Sequence, residues 1–188
     1  MIERRVRRLF RARGLGAITF LFCLCLCLGC AGASQETRAE GRGKSATHGF
    51  SLPDLQGNRV ALSAYAGKVL LLAFWDAACE PCLQELPLLQ EIWERLRDRG
   101  LSMVAVNVDG PELRSMVQQI VGRYRFRFPV LLDQETEVIS RYNPKLELPT
   151  TVLLDRSQRI AFFHQGFRPG DEKKIEEELL TLLGQPSP

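Results

Sequence analysis

Two cysteines separated by two residues, Cys79 and Cys82, are the side chains of this 188-residue chain best suited to chemistry. Cys23, Cys25, Cys27 and Cys30 lie in an apolar N-terminal stretch, so this pair holds the only cysteines of the remaining body. Two cysteines are too few for a disulfide scaffold. They form either a redox couple or half of a zinc site, and a zinc site takes about four ligands. The body offers only His48 and His164 besides the pair. Neither stands at a ligand spacing, so no metal is expected. The plainer alternative, two inert buried thiols, fits the flanking sequence poorly.

That flanking sequence is what gives the pair its meaning. Val69–Trp75 reads Val-Leu-Leu-Leu-Ala-Phe-Trp, a continuous apolar run of the kind a strand buried on both faces carries. Leu83, Leu86, Leu89, Trp93 and Leu96 then recur at helical spacing across residues 80–98. Cys79 is thus predicted at a helix N-terminus, where unpaired N–H groups and the helix dipole favour an anion. The thiolate is the attacking species in disulfide exchange. Cys82, one turn on, is placed to resolve the mixed disulfide. Pro81 suits a first helical turn, where its missing N–H costs little. Glu80 opposes a second negative charge beside it. Glu85 shares the helix face of Cys82 and is either a solvated surface acid or a functional one. Asp76 reads as a local cap or a proton relay, with the cap preferred. Pro87 should kink the helix.

The remaining chain alternates strand and helix signals. Phe50–Leu52 and Val60–Leu62 flank a turn at Asp54-Leu55-Gln56-Gly57-Asn58. Leu101–Val108, Pro129–Leu132, Thr150–Leu154 and Ile160–His164 read as strands, and the last two are joined by a polar turn at Asp155–Gln158. Glu112–Tyr124, Glu135–Tyr142 and Asp171–Leu183 read as helices. Buried strands alternating with helices and ending in a hairpin imply an α/β fold with a mixed sheet. Trp93, Phe126, Phe128, Phe162 and Phe163 are expected in the core and His164 in a structural role.

Trp75, Cys79, Pro81, Cys82 and Glu85 together resemble the Trp-x-x-Trp-Cys-x-Pro-Cys-x-x-Glu pattern of TlpA/ResA-type thioredoxin-like proteins, over about residues 49–183. Ala78 stands where that family usually has Trp. The resemblance implies a thioredoxin-like fold with an extra N-terminal hairpin. It implies Cys79 as nucleophile, Cys82 as resolving thiol and a partly buried Glu85 that moves protons. It implies a cis bond before Pro149, exposing the backbone of Leu148 for strand-like pairing with a substrate. It further implies a substrate surface built from Trp75, Glu80, Pro81, Leu148 and Thr150. A simple strand-start proline is the alternative at 149.

The N-terminus reads as an address. Residues 1–33 carry six arginines and one acid, which leaves 19 basic and 21 acidic side chains in the rest, a net charge of −2. No basic stripe suggests nucleic-acid binding. Residues 15–33 are uncharged, so arginines followed by an apolar run read as an export signal or a single membrane span. Leu28-Gly29-Cys30-Ala31 resembles a lipoprotein box with Cys30 as the acylated residue. A signal-peptidase site after Ala33 and an uncleaved anchor are the alternatives. Residues 34–48 are polar and read as a flexible linker to the domain at 49–188.

The expected activity is therefore thiol–disulfide exchange outside the cytoplasm, most simply reduction of exported protein disulfides with electrons from a membrane donor. No organic cofactor is expected, since the dithiol carries two electrons. A disulfide oxidase or isomerase uses the same residues at a different potential. A peroxiredoxin-type peroxidase would need a Pro-x-x-x-Thr-x-x-Cys arrangement, which is missing around Cys79. A tethered module that holds a client or metal through the pair is the non-enzymatic reading.

Overall fold

Seven short, mostly apolar strands and four helices appear in the computed structural model, which describes residues 49–184. The segment expected to be an export signal, with Cys30, and the expected linker at 34–48 lie outside the described residues. No helix among the described residues is long and apolar enough to cross a membrane.

Strands β1 (Ser51–Pro53) and β2 (Arg59–Ala61) form an antiparallel hairpin. Asp54 closes its turn, since its carboxylate accepts the backbone N–H groups of Gln56 and Asn58, each at 2.8 Å. Strands β3 (Val69–Trp75), β4 (Leu101–Asn107), β5 (Val130–Leu132), β6 (Thr150–Leu154) and β7 (Ile160–Gln165) make a five-stranded sheet in the order β5-β4-β3-β6-β7. β3, β4 and β5 run parallel, and β6 and β7 run antiparallel to their neighbours. The expected mixed sheet and N-terminal hairpin are both present.

Alternation along each strand divides the core. Leu71, Ala73 and Trp75 of β3 face one side with Cys82, Leu86, Leu89 and Ile92 of α1 (Glu80–Leu96), Val117 of α2 (Arg114–Tyr124) and Ile175, Leu179 and Leu182 of α4 (Asp171–Gly184). Leu70, Leu72 and Phe74 face the other side with Phe50, Leu62 and Val138 and Ile139 of α3 (Glu137–Tyr142). The central strand is buried on both faces, as its unbroken apolar run requires.

Several local expectations shift. α1 continues past Pro87 and gives way after Leu96 to a 3-10 turn ended by Gly100. A 3-10 turn at Pro111–Leu113 precedes α2, because proline suits a first turn and its geometry delays the α-helix to Arg114. Phe163 is 43% exposed, which corrects its core placement. It alternates outward on the edge strand β7, where neither helix nor hairpin covers it. Phe128 is buried, while Phe126, Phe162 and Trp93 pack against the core from its margin.

Candidate active site

The site forms where β3 ends. The buried strand delivers the chain at Trp75 into the loop Asp76–Ala78, and α1 begins immediately after Cys79. Cys79 has extended backbone and is itself the N-cap of α1, its sulfur accepting the N–H of Cys82 at 3.2 Å. Cys79 and Cys82 are joined as a disulfide. Cys79 is partly exposed and Cys82 is fully buried. Of the two sulfurs, that of Cys79 is the one a partner outside the protein can approach.

Asp76 does not cap the helix, since the sulfur of Cys79 holds that place. Its carboxylate accepts the Ala78 N–H at 2.8 Å and its carbonyl accepts the Cys79 N–H at 3.4 Å, closing a tight turn before the nucleophile. Asn107 and Asp109 complete the turn and were missed from the sequence. The Asp109 carboxylate accepts the Ala77 N–H at 2.8 Å and the Asn107 side-chain N–H at 2.7 Å. The signal for them is topological: in the parallel β3–β4 pair Asn107 lies level with Trp75, so polar residues ending β4 meet the loop leaving β3. Ligand and catalytic groups gather at such carboxyl ends of parallel strands.

Glu85 lies one turn beyond Cys82 and is only 1% exposed. Its Oε1 accepts the hydroxyl of Thr151 on β6 at 2.9 Å. Burial pushes its carboxyl up to about 7, the Thr151 hydrogen bond opposes that rise and the charge of Asp171 adds to it. A solvated surface acid is thereby replaced by a buried acid that changes charge near neutrality. Nothing in the sequence marks Thr151 beyond its place in a strand; β6 lies next to β3, which brings it over the helix face.

The Leu148–Pro149 peptide bond is cis. Leu148 is half-buried and Pro149 is buried. Asn143 supports the loop, donating to the Glu147 carbonyl at 3.1 Å and to the Thr150 hydroxyl at 2.9 Å. Pro149 and Leu148 share a groove of about 360 Å³ with Pro81 and with Gln165–Arg168 and Asp171. Glu80 is exposed beside Cys79 and does not line that groove.

Two residues expected to touch substrate face inward. The Trp75 side chain is fully buried and lies edge-on to Phe126, with ring centroids 6.5 Å apart. A strand buried on both faces gives its last side chain no route to solvent. Thr150 is also buried, its hydroxyl donating to the Glu147 carbonyl at 2.6 Å. His164 Nε2 lies 2.5 Å from a carboxylate oxygen of Glu178, a hydrogen-bonded contact between β7 and α4 that ties the sheet to the helix.

Known proteins can now be set beside this geometry. The AhpC/TSA family profile matches residues 43–163. Thiol-disulfide oxidoreductase ResA of Halalkalibacterium halodurans is 34% identical over 134 residues, covering 71% of this chain and 73% of that protein. ResA of Bacillus thuringiensis subsp. konkukian is 31% identical over 141 residues, covering 75% and 78%. A crystal structure described as that of a DsbE-type thiol:disulfide interchange protein from Chlorobium tepidum superposes with a TM-score of 0.69 at 31% identity, covering 76% of this chain and 97% of that one. With the Cys79–Cys82 pair at the head of α1, these likenesses show that the chain belongs to the AhpC/TSA family of thioredoxin-like proteins, as a ResA-type thiol–disulfide oxidoreductase.

Proposed function

We propose that the enzyme works as a reductase on the outer side of a bacterial membrane, opening disulfides in exported proteins such as the haem-binding cysteines of apocytochromes. The Cys79 thiolate attacks a client disulfide and expels one client thiolate. Cys82 then attacks the Cys79 sulfur and expels the other. The client gains two electrons, and the pair ends as the disulfide Cys79–Cys82. The two protons of the spent dithiol end on the client's thiolates, and no organic cofactor takes part. Glu85 is the buried group placed to take a proton from Cys82 and return it. Electrons come back from a membrane donor, and lipid at Cys30 or an uncleaved N-terminal helix holds the enzyme there.

The observation that supports the reducing direction is the sign of charge along the segment that holds the pair. From Asp76 to Glu94 there are five acids and no lysine or arginine. Glu80 stands exposed beside Cys79 and Glu85 is buried beyond Cys82. Strong dithiol oxidants owe their potential to a stabilised reduced form. Acids near the sulfurs destabilise a thiolate and so favour the disulfide of the enzyme, which makes its dithiol a donor.

The test is the reduction potential of Cys79–Cys82 in glutathione or dithiothreitol buffers. A value at or below that of thioredoxin, roughly −270 mV, supports the reductase. A value near roughly −120 mV would make the enzyme an oxidant and end this reading. The anchor is tested separately by the mass of the mature N-terminus: a diacylglyceryl Cys30 supports the lipid form, and a chain beginning at Ser34 removes it.

A further inference from the structure

The groove beside the redox pair has a chemical polarity that the exchange chemistry itself does not use. Pro81 and Pro149 border it, and the turn Gln165–Arg168 forms its far wall. That wall is tied to the proline: Gly166, at φ +74°, donates its N–H to the Pro149 carbonyl at 2.8 Å. A side chain at that φ would be strained, so glycine holds the turn in place. The N–H and C=O of Leu148 have no hydrogen-bond partner among the described residues, leaving them open to an extended segment.

The acids at the start of α4 are engaged with backbone. Asp171 accepts the Arg168 N–H at 2.8 Å and Glu172 accepts the Gly170 N–H at 2.7 Å. The Arg168 guanidinium is different. Arg168 is exposed, and its side chain makes no ion pair or hydrogen bond among the described residues. Phe167, half-buried next to it, adds apolar surface to the same wall.

We propose that Arg168 determines client specificity, the groove accepting an extended segment that carries a carboxylate side chain beside the cysteine presented to Cys79. This rests on the reading of Cys79–Cys82 as an exchange centre for client disulfides. An extended segment paired along Leu148 sends alternate side chains to one side. A guanidinium meets a carboxylate through two parallel hydrogen bonds, a geometry that neither lysine nor glutamine reproduces. Glu80, outside the groove, repels an acid on its own side, so the preference belongs to one flank of the client cysteine.

The experiment uses the full chain in detergent with its dithiol reduced. Cyclic disulfide peptides of one sequence carry Glu, Gln or Lys on one flank of the attacked cysteine, then on the other. Exchange rates are read by stopped flow, with the C79A chain subtracting the leader cysteines. The Gln peptide's rate over C79A reports the exchange chemistry, and the ratios report Arg168. The Glu peptide should react about two- to fivefold faster than the Gln peptide on one flank, the range of an exposed ion pair. The ratio should fall toward one at high salt and in R168Q, and persist in part in R168K. Equal rates for the three peptides, or a ratio that survives R168Q, would overturn the proposal. So would a faster Lys peptide whose advantage disappears in D171N, because the groove would then belong to Asp171.

Discussion

On the face of the sheet covered by α1, α2 and α4, polar groups are set into the core: Glu85 holds the Thr151 hydroxyl, and His164, level with Thr151 on β7, meets Glu178. The opposite face is built from Leu70, Leu72, Phe74, Val104, Val106, Val152 and Leu154 under α3 and the N-terminal hairpin. Tyr142, packed on it against Phe74, has its phenol pushed up to about 12 by burial. The strands are shared and the side chains alternate, so one face sets Glu85 beside the cysteines, while the other is mainly apolar and keeps its buried carboxylate, Asp133, on the backbone N–H groups of Val138 and Ile139 at the head of α3. Chemistry and stability are therefore separable by mutation.

The largest effect tests the reacting end. Cys79→Ser should abolish exchange, because no other body cysteine can attack and Cys82 is buried. Cys82→Ser should still attack and should trap a mixed disulfide with the client, visible as a mass increase. If Cys79→Ser retained exchange and Cys82→Ser trapped nothing, the exposed and buried roles would be reversed.

The apolar face is next. Phe74→Ala removes a fully buried ring that packs 5.5 Å from Tyr142. It should cost about 3–5 kcal/mol in denaturant unfolding and leave the Cys79–Cys82 potential of the folded protein where it was. A shifted potential would break the separation between the faces.

Glu85 sharpens the comparison through pH. Its ordinary carboxyl value is 4.5, and in the fold it stands at about 7. Between those pH values the unfolded chain has given up the proton that the folded chain keeps. Stability should therefore fall as pH rises from about 4.5 to 7 and level off above, by about 3 kcal/mol in all. Glu85→Gln removes that slope: the variant should match the parent near pH 4 and exceed its stability at pH 8, read from urea midpoints. Its exchange rate near pH 7 should fall roughly 100-fold if the carboxyl carries the proton. An unchanged pH dependence in both measurements would return Glu85 to a packing role.

These outcomes bear on what could be read without coordinates. The Val69–Trp75 run, the helical spacing after Cys79 and the polar turns were local patterns, and local periodicity is enough to place strands and helices. The same patterns could not say which way Trp75 or Phe163 points relative to covering elements, because that depends on what packs over each strand. Thr151 and Asp109 were hidden for a related reason. Each meets its partner across 66 and 32 residues of chain, through sheet neighbours that only strand order reveals. Glu85 was visible as a residue on the Cys82 face, but its burial follows from where β6 lies.

Asp109 gives the smallest and most pointed of these effects. It is 8% exposed and fixes the turn before the nucleophile from the loop that leaves β4, an element that bears no cysteine. Asp109→Ala leaves the N–H of Ala77 without its acceptor and the amide of Asn107 with only the longer bond to the Trp75 carbonyl at 3.5 Å, a loss of about 1–3 kcal/mol. Asp109→Asn keeps one acceptor and should recover part of that cost. If the turn aims Cys79, the alanine variant should also slow attack on a small-molecule disulfide, measured at a temperature where it remains fully folded, and the asparagine variant should restore part of the rate. An alanine variant that loses stability but keeps its attack rate would reduce Asp109 to a strand-end tie. The precision of the site would then reside wholly in Cys79, Cys82 and the helix they begin.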